Sequence, residues 1–220
     1  MSSSDSLARS TQTHPLSAGP VRARGQAKVA AILQAAGRLF RQHGFASTSM
    51  DAVADAAAVS KATVYAYYRS KQELFAAVIQ LEGDRDAAGS IDAVIGSAPI
   101  QSQLRELGHS VLSLLLSEAT VTSYRMTMAE AARQPELGRL YYENGPQRLL
   151  QRLEHTLEAA MHAGRLRRAD PQRAAQQFVG LVRGDLMLRA LLCVDAAPDE
   201  ASIASAVRDG VDTFLRAYRP

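Results

Sequence analysis

Apolar positions recur at helical spacing along most of the chain. Val29, Ile32, Leu33, Ala36, Leu39 and Phe40 fall at i, i+3, i+4 and i+7, giving one stripe of a helix that Gly44 would stop. A short segment over 49–57 sets Val53, Ala54 and Ala57 on one side. Ser60 then caps a helix to about Tyr67, and Ser70-Lys71-Gln72-Glu73 has the spacing of a capping box. That box opens a longer helix carrying Leu74, Phe75, Val78, Ile79 and Leu81. The pattern loosens between 80 and 100, then resumes as helices over 101–118, 120–133, 135–143, 146–163, 171–194 and 198–218. Pro135, Pro146 and Pro171 stand where first turns begin, and Gly145 and Gly164 where helices end.

Runs of β-branched and aromatic residues are scarce, so the expected fold class is all-α, with about nine helices. A polar, disordered tail is expected over 1–20, a head over 21–82 and a helical body over 83–220. No run reaches the roughly 18–20 apolar residues of a membrane span, and the first twenty residues lack the apolar stretch of a secretory signal. The single cysteine, Cys193, fits a reducing compartment, so the expected location is cytoplasmic, in association with the nucleoid. Charge is uneven. Residues 1–80 hold nine Lys and Arg against four Asp and Glu, net +5, whereas the rest holds sixteen against eighteen, net −2. A basic end is the footprint of a nucleic-acid-binding module, although a solvated basic face gives the same count.

Residues 44–74 carry the function. They read as two short helices joined by a tight turn at Ala57-Ala58-Val59-Ser60, the proportions of a helix-turn-helix. The second helix of such a unit lies in the major groove and reads base edges near its N-terminus. Here it begins with Lys61, Ala62 and Thr63, whose small or flexible side chains permit close approach.

The segment resembles the DNA-binding domain of TetR-family transcriptional regulators. The matching residues are Leu39-Phe40-Arg41-Gln42-His43-Gly44-Phe45, Thr48-Ser49-Met50, Val59-Ser60-Lys61-Ala62-Thr63-Val64-Tyr65, Tyr67-Tyr68 and Lys71-Gln72-Glu73-Leu74, in order over about 26–80. Ala58 and Ala62 stand where that family usually has glycine, which implies a left-handed alanine in the turn and an extra methyl facing DNA. The resemblance implies phosphate contacts from Thr48, Tyr67 and Lys71. It sets Ser60, Lys61, Ala62, Thr63 and Tyr65 toward the groove, and Arg22 and Arg24 as an arm or a solvated tail. Tyr65 is alternatively a core residue with a satisfied hydroxyl.

The segment from Arg133-Gln134-Pro135 to Asn144-Gly145-Pro146 resembles the C-terminal domain of AefR-like members. The resemblance implies a homodimer on a pseudo-palindromic DNA operator, with a small-molecule effector held in the body. Expected interface residues are Phe178, Leu181, Leu188, Val207, Val211 and Phe214. Expected pocket residues are Leu107, Val111, Leu115, Tyr124, Met128, Tyr141, Leu153, Phe178 and Met187, suiting a hydrophobic or amphipathic ligand, with ordinary core as the rival role of each. Arg125, Glu130, Arg183 and Asp185 are anchors for that ligand or salt-bridge partners.

No cofactor, metal site or enzyme activity is expected. Phosphate-loop, dinucleotide, zinc-protease and nucleophile-elbow motifs are all missing from the sequence. His155, Glu158 and His162 share a helix face but lack a further ligand. Cys193 reads as a small buried hydrophobe rather than a redox sensor. A repressor is the expected function. The rivals are an activator or an effector-independent regulator, and, outside the class, a helical ligand-binding protein with a non-functional head.

Overall fold

A computed structural model describes residues 20–86, 98–194 and 198–220; the expected tail lies outside them. These residues form eleven helices and no strand. The head comprises α1 (Pro20–Ser47), α2 (Met50–Ala56), α3 (Lys61–Tyr67) and α4 (Lys71–Asp86). The body comprises α5 (Ile100–Leu116), α6 (Glu118–Ala131), α7 (Pro135–Asn144), α8 (Pro146–His162), α9 (Pro171–Arg183), α10 (Leu186–Leu192) and α11 (Glu200–Tyr218).

Most helix starts are made by the residues that the pattern picks out. Ser60 accepts from Thr63 N at 3.1 Å, and Asp170 accepts from the amides of Gln172 and Arg173. The capping box forms as well: Glu73 N donates to Ser70 Oγ at 3.1 Å, while Arg69 N donates to the Glu73 carboxylate at 2.8 Å. Within α1 the backbone breaks at Gly44, whose φ is 81°.

Two apolar cores result. In the head, Phe40, Phe45 and Phe75 pack with ring centroids 5.4–5.6 Å apart, joined by Ile32, Val53, Val64 and Leu74. Leu137 and Tyr141 of α7 complete that same core, so head and body share buried surface across the division expected at residue 82. In the body, α5, α8, α9 and α11 enclose Leu104, Leu112, Leu153, Leu157, Phe178 and Phe214.

Two expectations change here. The helix expected over 171–194 is two, because Gly184 takes φ 50° and ψ −133°, a region open in practice to glycine alone. The turn redirects α10, so that Met187 is buried while Leu188 is 58% exposed. Cys193, expected to be buried, is exposed and left-handed at the C-terminal cap of α10.

Helices α9 and α11 cross closely at Gly210. A Cβ there would lie 2.8 Å from Val182 Cα and 2.9 Å from the Leu181 carbonyl group, which is backbone that cannot step aside. Gly210→Ala is therefore expected to cost about 1–3 kcal/mol in urea unfolding, despite the better helix propensity of alanine. An unchanged midpoint would mean that the two helices are not in such close contact.

Candidate DNA interface and effector cavity

The α2–α3 unit is held together by its own short-range chemistry. Ala58 adopts φ 52°, the left-handed turn expected of it, and Val59 N donates back to Ala54 O at 3.0 Å. Val64 is the buried anchor of α3. The Ser60 and Thr63 hydroxyls share a 2.8 Å hydrogen bond. Lys61 Nζ lies 2.8 and 2.9 Å from the two carboxylate oxygens of Asp51 on α2, and this hydrogen bond and charge raise its pKa. Lys61, Ala62, Tyr65, Ala66 and Tyr67 are exposed on α3, with Thr63 half-buried.

Ser60, Lys61, Ala62, Thr63, Tyr65 and Tyr67 thus share one short element, with Tyr67 Oη beside Gly25 of α1. Arg24 is exposed at the start of α1, whereas the side chain of Arg22 lies outside the described residues. Thr48 is placed differently from expectation. It is 3% exposed, and its hydroxyl donates to Gly44 O at 2.8 Å, while the neighbouring Ser49 caps α2. Lys71 also turns inward. Its ammonium donates to the carbonyls of Phe45 at 2.7 Å and Ala46 at 3.1 Å and lies 4.5 Å from the Phe45 ring centroid. Burial lowers its pKa.

In the body a cavity of about 590 Å³ lies between α5–α6 and α8–α10. Of the residues expected in a pocket, Leu115, Tyr124, Tyr141 and Met187 line it, together with Leu149, Val179 and Leu191, and Gln176, Arg183 and Asp185 bring polarity. A smaller space of about 60 Å³ shares Leu115, Thr120, Tyr141 and Leu149 and reaches Gln80 and Glu82 of α4. Tyr141 meets Tyr124 edge-on at 5.7 Å, and burial, then the nearby charge of Glu82, drives its pKa far up, so the phenol stays protonated.

The other expected pocket residues lie elsewhere. Leu107, Val111, Leu153 and Phe178 fill the body core against α9 and α11, and Met128 is 62% exposed on the outer side of α6. Arg125, considered as a ligand anchor, donates to the carbonyls of Leu191 and Ala190 and so caps α10. Of the expected interface residues, Phe178, Val207, Val211 and Phe214 are buried within the protomer, because α9 and α11 use those stripes on each other. Leu181 and Leu188 are exposed, joined by Leu192 and Val194.

Sequence reasoning missed Asp51, Glu82 and Ser123. Glu82 accepts from the Arg41 guanidinium and, at 2.9 Å, from Ser123 Oγ. Only Asp51, ten residues from Lys61, carried a local hint: opposite charges on adjoining short helices.

The fold and this site define a helix-turn-helix DNA-binding protein with a helical C-terminal body. Residues 32–78 match the model of the bacterial regulatory proteins of the tetR family, and residues 102–220 match the C-terminal domain of AefR-like transcriptional repressors. The chain belongs to the TetR family of transcriptional regulators. It is 38% identical to the flavonoid-responsive regulator FrrA, covering 88% of this chain and 97% of that one, with a TM-score of 0.72. It is 27% identical to a TetR-family regulator of Mesorhizobium loti over 90% of this chain and 99% of that one, with a TM-score of 0.75. The HTH-type transcriptional regulator AcrR of Shigella flexneri is 29% identical over 85% of this chain and 87% of its own length. Among the described residues no helix is long and apolar enough to cross a membrane.

The inward employment of Lys71 sets an expectation. Lys71→Met should lower head stability by about 1–2 kcal/mol, through loss of its hydrogen bonds to the C-terminal carbonyls of α1, and leave the salt dependence of DNA binding unchanged. Thermal unfolding and titrations at several salt concentrations check it. A slope reduced by about one unit at unchanged stability would return Lys71 to the phosphates.

Proposed function

We propose that the chain is a cytoplasmic, homodimeric repressor that reads a two-fold operator with α3 of each protomer and leaves it when a small aromatic effector fills the body cavity. The observation that carries this reading is the pairing of an outward-facing α3 with a cavity whose wall, Tyr141, also completes the head core. Dimerisation is supported by Leu181, Leu188, Leu192 and Val194, which leave apolar surface exposed on α9, α10 and the residues after α10. The repressor sign is supported by the match to the AefR-like repressor domain. FrrA is named as flavonoid-responsive, and the cavity here has the chemistry for a planar polyphenol: the Tyr124 and Tyr141 rings beside aliphatic walls, with Gln176, Arg183 and Asp185 for hydroxyl groups.

The mechanism is a shift of population. Effector binding favours a dimer whose α3 helices are wrongly spaced for successive major grooves, and weakens DNA binding only by its preference for that form. In fluorescence anisotropy, DNA from upstream of the gene should bind more tightly than a scrambled fragment, with strong salt sensitivity. A planar flavonoid such as quercetin should raise the half-saturation point at least about fivefold. Equal binding to both fragments would sink the DNA reading, and operator binding indifferent to quercetin and related polyphenols would sink the effector class. Tyr65→Phe should cost about fivefold on the operator and nothing on the scrambled fragment. Equal losses on both would assign the phenol to the DNA backbone.

A further inference from the structure

Seven residues make α3, and their arrangement restricts how they can read DNA. At 100° per residue, Ala62 and Ala66 each lie about 160° around the axis from Val64, the side chain that anchors the helix in the head core. They therefore occupy the middle of the outward face, and both are exposed. The longer side chains stand to either side: Lys61 and Tyr65 on one flank, Thr63 and Tyr67 on the other. Lys61 is clamped by both carboxylate oxygens of Asp51, and the Thr63 hydroxyl is tied to Ser60. Of the residues that pair with guanine or adenine, the helix carries no Arg, Asn or Gln, and its one lysine, Lys61, is already paired with Asp51.

We infer that Ala62 and Ala66 read the operator by apolar contact with the 5-methyl groups of thymines in each half-site. A methyl side chain at the centre of the face lets the helix sit deep in the major groove. The thymine methyl is the apolar group displayed on the base edges there, and alanine is a complementary partner for it. Adenine and guanine present N7 with an amino or carbonyl group, and cytosine an amino group beside a bare C5–H, so none of them fills such a face with a methyl. Tyr67 and Lys61 then orient the helix, and the two alanines select the sequence together with the Tyr65 hydroxyl beside them.

This assignment rests on the reading of the chain as an operator-binding dimer, and the test separates the two. The operator is first obtained by selecting from random DNA with the full-length protein. Each thymine is then replaced by deoxyuridine, which removes the methyl and nothing else. At the thymine facing Ala62, the change should weaken binding about fourfold in one half-site and about fifteenfold in both, the value of one buried methyl each time. Ala62→Gly should abolish that sensitivity at that thymine, and Ala66→Gly at its neighbour. Both variants should keep the wild-type circular-dichroism spectrum and a cooperative thermal transition, which shows that the head is folded. Ala62→Ser, which retains the helix but offers a hydroxyl, should lose affinity for the thymine operator as well. Operator binding indifferent to deoxyuridine at every position overturns methyl reading and leaves the DNA function standing. Equal sensitivity in the wild type and both glycine variants assigns the methyls to other residues and overturns the role of the alanines. Selection that yields no preferred sequence overturns both readings.

Discussion

Glu82 stands where three helices meet, and the relation of head to body depends on it. One carboxylate oxygen takes the Arg41 guanidinium from α1, and the other takes the Ser123 hydroxyl from α6. The carboxylate is mostly withdrawn from water, its side chain 13% exposed, so the charge needs these partners to offset its desolvation. Such a group enforces geometry more than it adds stability, because any movement of α4 away from α1 or α6 breaks one of these bonds. The Gln80–Asn144 hydrogen bond, at 2.5 Å, repeats the arrangement between α4 and α7 two residues earlier on α4. Around these polar ties, Leu137 and Tyr141 enter the head core. Head and body are therefore joined through α4 and α7 by buried surface rather than by a flexible connection.

The same economy appears in the reading unit. Seven-residue helices have little stability of their own, so α2 and α3 depend on tertiary contacts and caps. Ser49 and Ser60 cap their first turns, Ala58 accepts a left-handed conformation, and the Lys61–Asp51 pair ties one helix to the other. Lys71 caps the end of α1 beyond the break at Gly44 with its ammonium, which fixes the segment leading into α2. Few side chains remain for DNA, and those are short or aromatic.

What the sequence made legible was local. Caps such as Ser60, Ser70 and Asp170 follow from residues within a few positions of one another, and the structure reproduces them; the left-handed Ala58 is implied by the family resemblance, and it too is found. Thr48 shows the limit at close range: the resemblance gives it a phosphate, but Ser49 caps α2 and the buried Thr48 hydroxyl turns to Gly44 O. The body was less legible because an apolar stripe records that a face is covered, not what covers it. Phe178, Val207, Val211 and Phe214 have the periodicity of an interface, and α9 and α11 satisfy one another with them inside a single protomer. The cavity was legible only in part for a related reason: Leu115, Tyr124, Tyr141 and Met187 line it, but Leu107, Val111, Leu153 and Phe178 fill the core instead, because helix approach is set by contacts distant in sequence. Glu82, Ser123 and Arg41 are separated by forty-one positions on each side, and no pattern of charge announces their meeting.

These features bear on how a modest ligand would control a regulator of this kind. A reading face of two methyls and a few hydroxyls yields limited discrimination per half-site, since a methyl contributes only about 0.8 kcal/mol. Tight operator binding must then come from two heads engaging together, as with any two-fold reader of separated half-sites. Such a dimer is sensitive to spacing, because misplacing one head forfeits that head's contacts and its share of phosphate neutralisation. An effector need only favour the wrong spacing by 1–3 kcal/mol to empty the operator. With α4 fastened to α1, α6 and α7 by Glu82, Gln80 and the shared core, a change in the cavity wall at Tyr141 bears directly on the buried core of the head. The weakness of each individual base contact is what makes so small a displacement sufficient.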